Sequence, residues 1–203
     1  MIARVQRHLE AIYDIEAPDI RDYLLDREAV TELVGEPSRA AREWVFVRQD
    51  GDGVDIGVYV DPEDLRALDA AASPAEAVRD ALDSFCVVTE GVSHFLLLAR
   101  RAARDETVTL LELETQAEVD KFVTARLHVG PQPDLRRRIL RDARLADGLG
   151  DAERERYTEA GRLADRYCAK LEKTRHVDAL LCELRTFYRR PGHARMELLR
   201  KAA

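Results

Sequence analysis

Lysine is almost missing from this chain: four of its 32 basic side chains are lysine and the rest are arginine. With the many Ala, Asp, Leu and Gly residues, that bias points to a GC-rich, bacterial genome. It also removes arginine abundance by itself as an argument for phosphate binding. Aromatic residues make up only 6% of the chain, too few for an all-β core. The three cysteines, Cys86, Cys168 and Cys182, form no CxxC spacing. A disulfide framework and a zinc knuckle are therefore not expected, and reduced thiols in a cytoplasmic protein are. No glycine-rich phosphate loop occurs. The longest apolar run, 85–99, is shorter than the ~20 residues of a membrane span and is interrupted by Glu90 and His94. It reads as a buried helix, with no membrane as partner. Arg4, Arg7 and Glu10 leave the first residues unlike a secretory signal.

What is present is a 203-residue chain with 46% hydrophobic and 35% charged residues. That length suits one domain or one domain with a helical appendage. A chain of this size removes about 70% of its unfolded surface from water on folding.

The hydrophobic periodicity predicts a mainly α fold with one β-hairpin at about 43–60, a central antiparallel helix pair at about 85–129, and a basic helical C-terminal segment. Ile2–Tyr13 is amphipathic, with Val5, Leu9 and Ile12 on one side. Asp19 is placed to cap a second helix and Asp26 a third, which Gly35 ends. Period-two alternation in 43–49 and 54–60, joined by Asp50-Gly51-Asp52-Gly53, predicts two antiparallel strands. A calcium loop at that tetrapeptide is not expected, because Val54 and Ile56 occupy positions where oxygen ligands and the turn glycine belong. Asp61-Pro62 and Ser73-Pro74 each begin a helix. The second leads into the apolar helix, with a break near Asp83. A helix over 108–129 follows, then the boundary Gly130-Pro131-Gln132-Pro133. Beyond it the expected elements are 134–145, one long helix over 151–189 and a short helix after Pro191-Gly192.

The same boundary divides the charge. Residues 134–203 hold 18 Arg and Lys against 12 Asp and Glu; residues 1–133 hold 14 against 27. The expectation is an acidic domain over 1–130 and a basic segment over 134–203, docked on it in cis or swapped across a dimer. Arg136, Arg137, Arg138, Arg141 and Arg144 are the candidate contacts for an acidic partner. They are also the candidate surface for nucleic acid, although Glu153, Glu155, Glu159, Asp165 and Glu172 interrupt the later helix.

The central helices carry polar residues where apolar ones are expected. Glu90 and His94 are four apart and share one face. Gly91 beside them signals close approach of another element. On the next helix Glu114, Glu118 and Lys121 fall in one sector. A tight turn near Asp105 would set Glu90 level with Glu118 or Val119, and His94 level with Glu114 or Thr115. Three readings follow, one of them a small-molecule pocket that uses these groups. Glu90, His94, Glu114 and Glu118 form a site for a divalent transition metal, since carboxylate and imidazole ligands on neighbouring turns can converge on one ion. Alternatively they form a buried network in which Glu90 or Glu118 pairs with Lys121, Arg100 or Arg101. The di-iron pattern of paired Glu-x-x-His is not present. Ser93 and His94 point apart, so they do not make a nucleophile–base pair. Tyr157, Tyr167 and Tyr188 read as packing residues. The sequence thus favours a cytoplasmic binding or regulatory protein acting through helical surfaces on a protein partner or a second copy. A metal-dependent enzyme or metal-binding protein is the first alternative, and nucleic-acid binding the second.

Overall fold

A computed structural model describes residues 1–35, 42–51, 53–142 and 148–201. Within them are ten α-helices and a two-stranded antiparallel hairpin, the mainly α fold with one hairpin that the periodicity implies. The helices are α1 (Ile2–Tyr13), α2 (Arg27–Val34), α3 (Pro62–Ala70), α4 (Pro74–Asp80), α5 (Leu82–Ala102), α6 (Leu110–Val129), α7 (Leu135–Leu140), α8 (Asp151–Glu172), α9 (Val177–Tyr188) and α10 (Gly192–Lys201). The strands are β1 (Glu43–Asp50) and β2 (Gly53–Val60), in a register that pairs Glu43 with Val60 and Asp50 with Gly53. Asp52 and Arg144 lie outside the described residues; the helix expected over 134–145 is shorter, ending at Leu140 with Arg141 as its C-cap.

The chain's punctuation explains most element boundaries. Asp26, Asp61 and Ser73 each accept a backbone N–H from the first turn of the helix they precede, and Pro62 and Pro74 occupy first helical positions. Thr109 and Glu112 form a reciprocal capping box at the start of α6. Such a cap contributes about 0.5–2 kcal/mol.

Two expectations are corrected, and one boundary is placed. Asp19 caps a single 3-10 turn, Ile20–Tyr23, rather than a full helix. The chain then extends, because Leu24 bridges Val58 and the Leu25 N–H donates to the Val58 carbonyl at 2.8 Å. The outer edge of β2 thereby gains a partner, which a lone hairpin needs. The break before the apolar helix falls at Ala81, two residues before Asp83. The long helix expected over 151–189 is two helices, separated at 173–176 without glycine or proline. At that point Leu171 O accepts the Thr174 N–H at 2.9 Å, closing the last turn, and the buried Arg126 of α6 donates to the Leu171 and Thr174 carbonyls, each at 2.6 Å, holding the chain where α8 stops.

α5 is long and apolar enough to cross a membrane by length and composition. In this fold α1, α3, α6 and the hairpin cover it. Val88, Val92, Phe95 and Leu96 of α5 share one continuous apolar core with Leu9 and Ile12 of α1, Val58 and Val60 of β2, Val119 and Phe122 of α6, and Leu163 and Leu171 of α8. Residues on both sides of the 130–133 boundary therefore belong to the same core. Polar links across that boundary include Arg189 to Asp14 at 2.7 Å and Arg185 to the Ala11 and Ile12 carbonyls, both at 3.0 Å.

Candidate metal centre

Four elements deliver side chains to one point. α5 presents Glu90 and His94 a turn apart, and α6 presents Glu114, Glu118 and Lys121. β1 adds Glu43 and α8 adds Arg156, neither of which the periodicity singles out. One ligand atom from each of Glu90, His94 and Glu114 lies within 4.8 Å of the others.

His94 is 6% exposed and is oriented from both sides. Its Nδ1 is 3.2 Å from Glu43 Oε1, and its Nε2 is 3.6 Å from Glu114 Oε2. With Nδ1 facing Glu43, Nε2 faces Glu114. Both His94 Nε2 and Glu114 Oε2 are buried, and neither has a hydrogen-bond partner among the described residues. On the outer side, Lys121 Nζ donates to Glu90 Oε2 at 3.1 Å and to Glu118 Oε1 at 2.6 Å. Glu118 thus joins the cluster through Lys121, whereas Glu90 belongs to both groups. Arg156 Nε lies 3.6 Å from Glu114 Oε1. Glu90, Glu118 and Arg156 form the rim, with side chains 22%, 19% and 21% exposed.

Gly91 makes the hairpin's approach feasible. A Cβ at that position would sit 3.2 Å from both Glu43 Cγ and Val60 Cγ2. The glycine is therefore the sequence signal that could have led to Glu43. Arg156 has no such signal, since it arrives from a helix that the chain forms 40 residues later.

The electrostatics follow from crowding carboxylates in a poorly hydrated place. Burial pushes the Glu114 carboxyl up to about 7, and the Glu90 and Glu43 charges add to it against His94 and Arg156. Burial also raises the Glu43 carboxyl, with His94 opposing. For His94 burial disfavours the charged ring, but Glu43, Glu114 and Glu90 outweigh it and lift the imidazole to about 9. Lys121 is held charged: burial opposes this, and Glu118 and Glu90 prevail. Without a metal, the site thus holds its protons tightly.

The other candidates lie elsewhere. Arg136 pairs with Asp165 and with Glu172 (2.7 Å), and Arg141 pairs with Asp165 at 2.9 Å. Arg137 pairs with Asp142 at 2.8 Å, and Arg138 is exposed. These charges are met largely within the basic segment itself. Arg100 and Arg101 stay away from Glu90; Arg101 pairs with Glu106.

No model of a known protein family, no curated protein and no solved structure matches this chain.

Proposed function

We propose that this protein binds a divalent transition-metal ion through Glu90, His94 Nε2 and Glu114, with Glu43 orienting the imidazole. One observation carries this reading: the buried, unpartnered His94 Nε2 and Glu114 Oε2 face each other at 3.6 Å. Buried polar atoms normally find partners; at 3.6 Å these two fall short of a hydrogen bond to each other, and an ion that displaced the imidazole's second proton would take both as ligands. An ion about 2.1 Å from each atom, the usual bond length, would subtend roughly 120° at that 3.6 Å separation. Donors around one such ion lie at most about 4.2 Å apart, so the 4.8 Å spread of the three atoms closes with a small side-chain shift. The His94–Glu43 contact matches the outer carboxylate that commonly fixes a ligating histidine. Charge points the same way. Four carboxylates face two permanent cations, Lys121 and Arg156. One divalent ion with neutral His94 balances the remainder. Three protein ligands leave a coordination position for water or a substrate oxygen, which a metal can polarise for hydrolytic chemistry.

The test is reconstitution of chelator-stripped protein with Zn²⁺, Mn²⁺ or Fe²⁺. One tightly held equivalent is expected in the wild type, with loss in His94→Ala and Glu114→Gln. Failure to retain any of the three at millimolar concentration sinks the reading.

A second reading, an interaction protein working through its surface, draws on a separate observation. Leu33 and Val34 of α2 and Val47 and Val54 of the hairpin are 60%, 53%, 51% and 39% exposed. Large exposed aliphatic residues of this kind suit a protein partner or a second copy. Sedimentation of the wild type against Leu33→Ser/Val47→Thr checks it; identical monomeric behaviour with no partner captured leaves it without support.

A further inference from the structure

The centre holds more donors than one ion needs, and they fall into two groups around Glu90. One group is Glu90, His94 and Glu114. The other is Glu90 and Glu118, joined by Lys121 Nζ at 3.1 and 2.6 Å. A carboxylate shared by two cation positions is the arrangement that bridges pairs of metal ions about 3.5–4 Å apart. Here the second position is filled by an ammonium group from the protein itself. Lys121 rises from α6, one turn after Glu118, and its side chain is 8% exposed, so its charge is fixed in place and not shared with solvent.

We infer that the Lys121 ammonium occupies the place of a second metal ion, making the centre mononuclear, and that removing its charge opens the centre to two ions. This rests on the metal reading above. The geometry supports it, since the ammonium lies between two carboxylates. With Lys121 and Arg156 present, four carboxylates have room for one divalent ion; without Lys121, the excess negative charge grows and Glu90 and Glu118 face each other with nothing between them. Buried carboxylates in that situation either take up protons or take up a cation. Glu90 Oε2 and Glu118 Oε1 already point at a common atom, so a cation is the direct replacement. The ammonium donates hydrogen bonds at nearly 3 Å whereas a metal bond is close to 2 Å, so the two glutamates would draw in by less than about 1 Å.

The experiment titrates Mn²⁺ into the chelator-stripped full chain and reads stoichiometry by calorimetry and spin coupling by electron paramagnetic resonance. The wild type and Lys121→Arg should each take one ion and show an uncoupled six-line signal. Lys121→Ala, and Lys121→Met, which keeps an apolar stem to pack, should take two ions with a broadened, exchange-coupled signal. A variant that unfolds when stripped but refolds on two equivalents of Mn²⁺ supports the inference equally. Two ions in the wild type, or one ion in both neutral variants, overturns it while leaving the metal reading intact. Neutral variants that stay unfolded in saturating Mn²⁺ also overturn it, since the ammonium would then be irreplaceable by metal. No ion in the wild type overturns both.

Discussion

The α5–α6 pair carries two polar clusters, one on each side of the same helices, and they are built on opposite terms. On the α1 side, Asp120 accepts from Tyr13, from Ser93 at 2.6 Å and from Gln116 at 2.8 Å, while Gln116 also donates to the Tyr13 hydroxyl at 3.0 Å. One charge meets three neutral donors, and both carboxylate oxygens are used; of this group only Gln116 Oε1 is open. On the hairpin side, four carboxylates crowd around one imidazole, one ammonium and one guanidinium. Charges there outnumber their partners, and two facing ligand atoms are left open. A saturated network specifies packing, because each member can be satisfied in one arrangement only. An unsaturated, over-charged one is destabilising unless something joins it, and the metal reading proposed above rests on that difference.

The largest test removes the centre of the saturated network. Asp120→Ala leaves the Tyr13 and Ser93 hydroxyls buried without an acceptor and should cost about 3–5 kcal/mol in urea denaturation, with or without metal. On the hairpin side the response should invert. Glu114→Gln removes a carboxyl that burial already disfavours, so the stripped protein should hold or gain stability. The same variant should lose the metal-induced gain of about 2.7 kcal/mol expected of the wild type at a hundredfold excess over Kd. If Asp120→Ala is mild and Glu114→Gln severe, the contrast between the two clusters is wrong.

Proton linkage sharpens the contrast next. Asp120 is raised to about 6, first by burial, and Glu114 and His94 are raised to about 7 and 9. A folded pKa above the unfolded one means stability that is complete below the unfolded pKa and lost as pH rises through the folded one. Stripped protein should therefore lose Tm on going from pH 5 to pH 9. The loss should come in an acid limb up to about 6 that Asp120→Asn removes, and a later limb through about 7 to 9 that Glu114→Gln and His94→Ala remove. At this chain length each kcal/mol corresponds to roughly 2–4 °C. Bound metal displaces those protons, so it should flatten the later limb alone, and its affinity should rise with pH. A Tm that climbs from pH 7 to pH 9 in the stripped protein contradicts the assignment.

The smallest effect belongs to Gly91→Ala. The new methyl must displace Glu43 and Val60 by a few tenths of an ångström, while the helix gains roughly 0.5–1 kcal/mol from losing a glycine. Stability should change by less than about 1 kcal/mol. Metal affinity should nonetheless fall about tenfold, the lower end of what a disturbed outer carboxylate costs. Unchanged affinity would detach Glu43 from the imidazole's orientation.

How far the sequence reveals this follows from what is local and what is not. The helix period puts Glu90 with His94, and Glu114 with Glu118 and Lys121, on common faces, and a tight turn fixes their level, so the α5–α6 half of the centre is legible. Glu43 opens a strand whose pairing is legible but whose docking on α5 depends on side-chain relief at a glycine 48 residues away. Arg156 comes from beyond the 130–133 boundary. Likewise α8 stops where Arg126 reaches the Leu171 and Thr174 carbonyls, and nothing in Lys173–His176 announces a stop. Asp19, a sound cap locally, was outbid by the free edge of β2.

The hairpin has one further consequence, a mechanical one. Its root, Glu43 paired with Val60, touches the imidazole; Val47 and Val54, towards its other end, are exposed to solvent roughly 14 and 20 Å along the strands at ordinary strand rise. A hydrogen-bonded ladder bends as a unit, so the hairpin acts as a lever with one arm outside the protein and the other resting on His94. If the centre holds an ion as proposed, a partner that gripped the outer arm would act on the contact at Gly91 and on the orientation of the ring, so metal affinity would respond to an event on the surface.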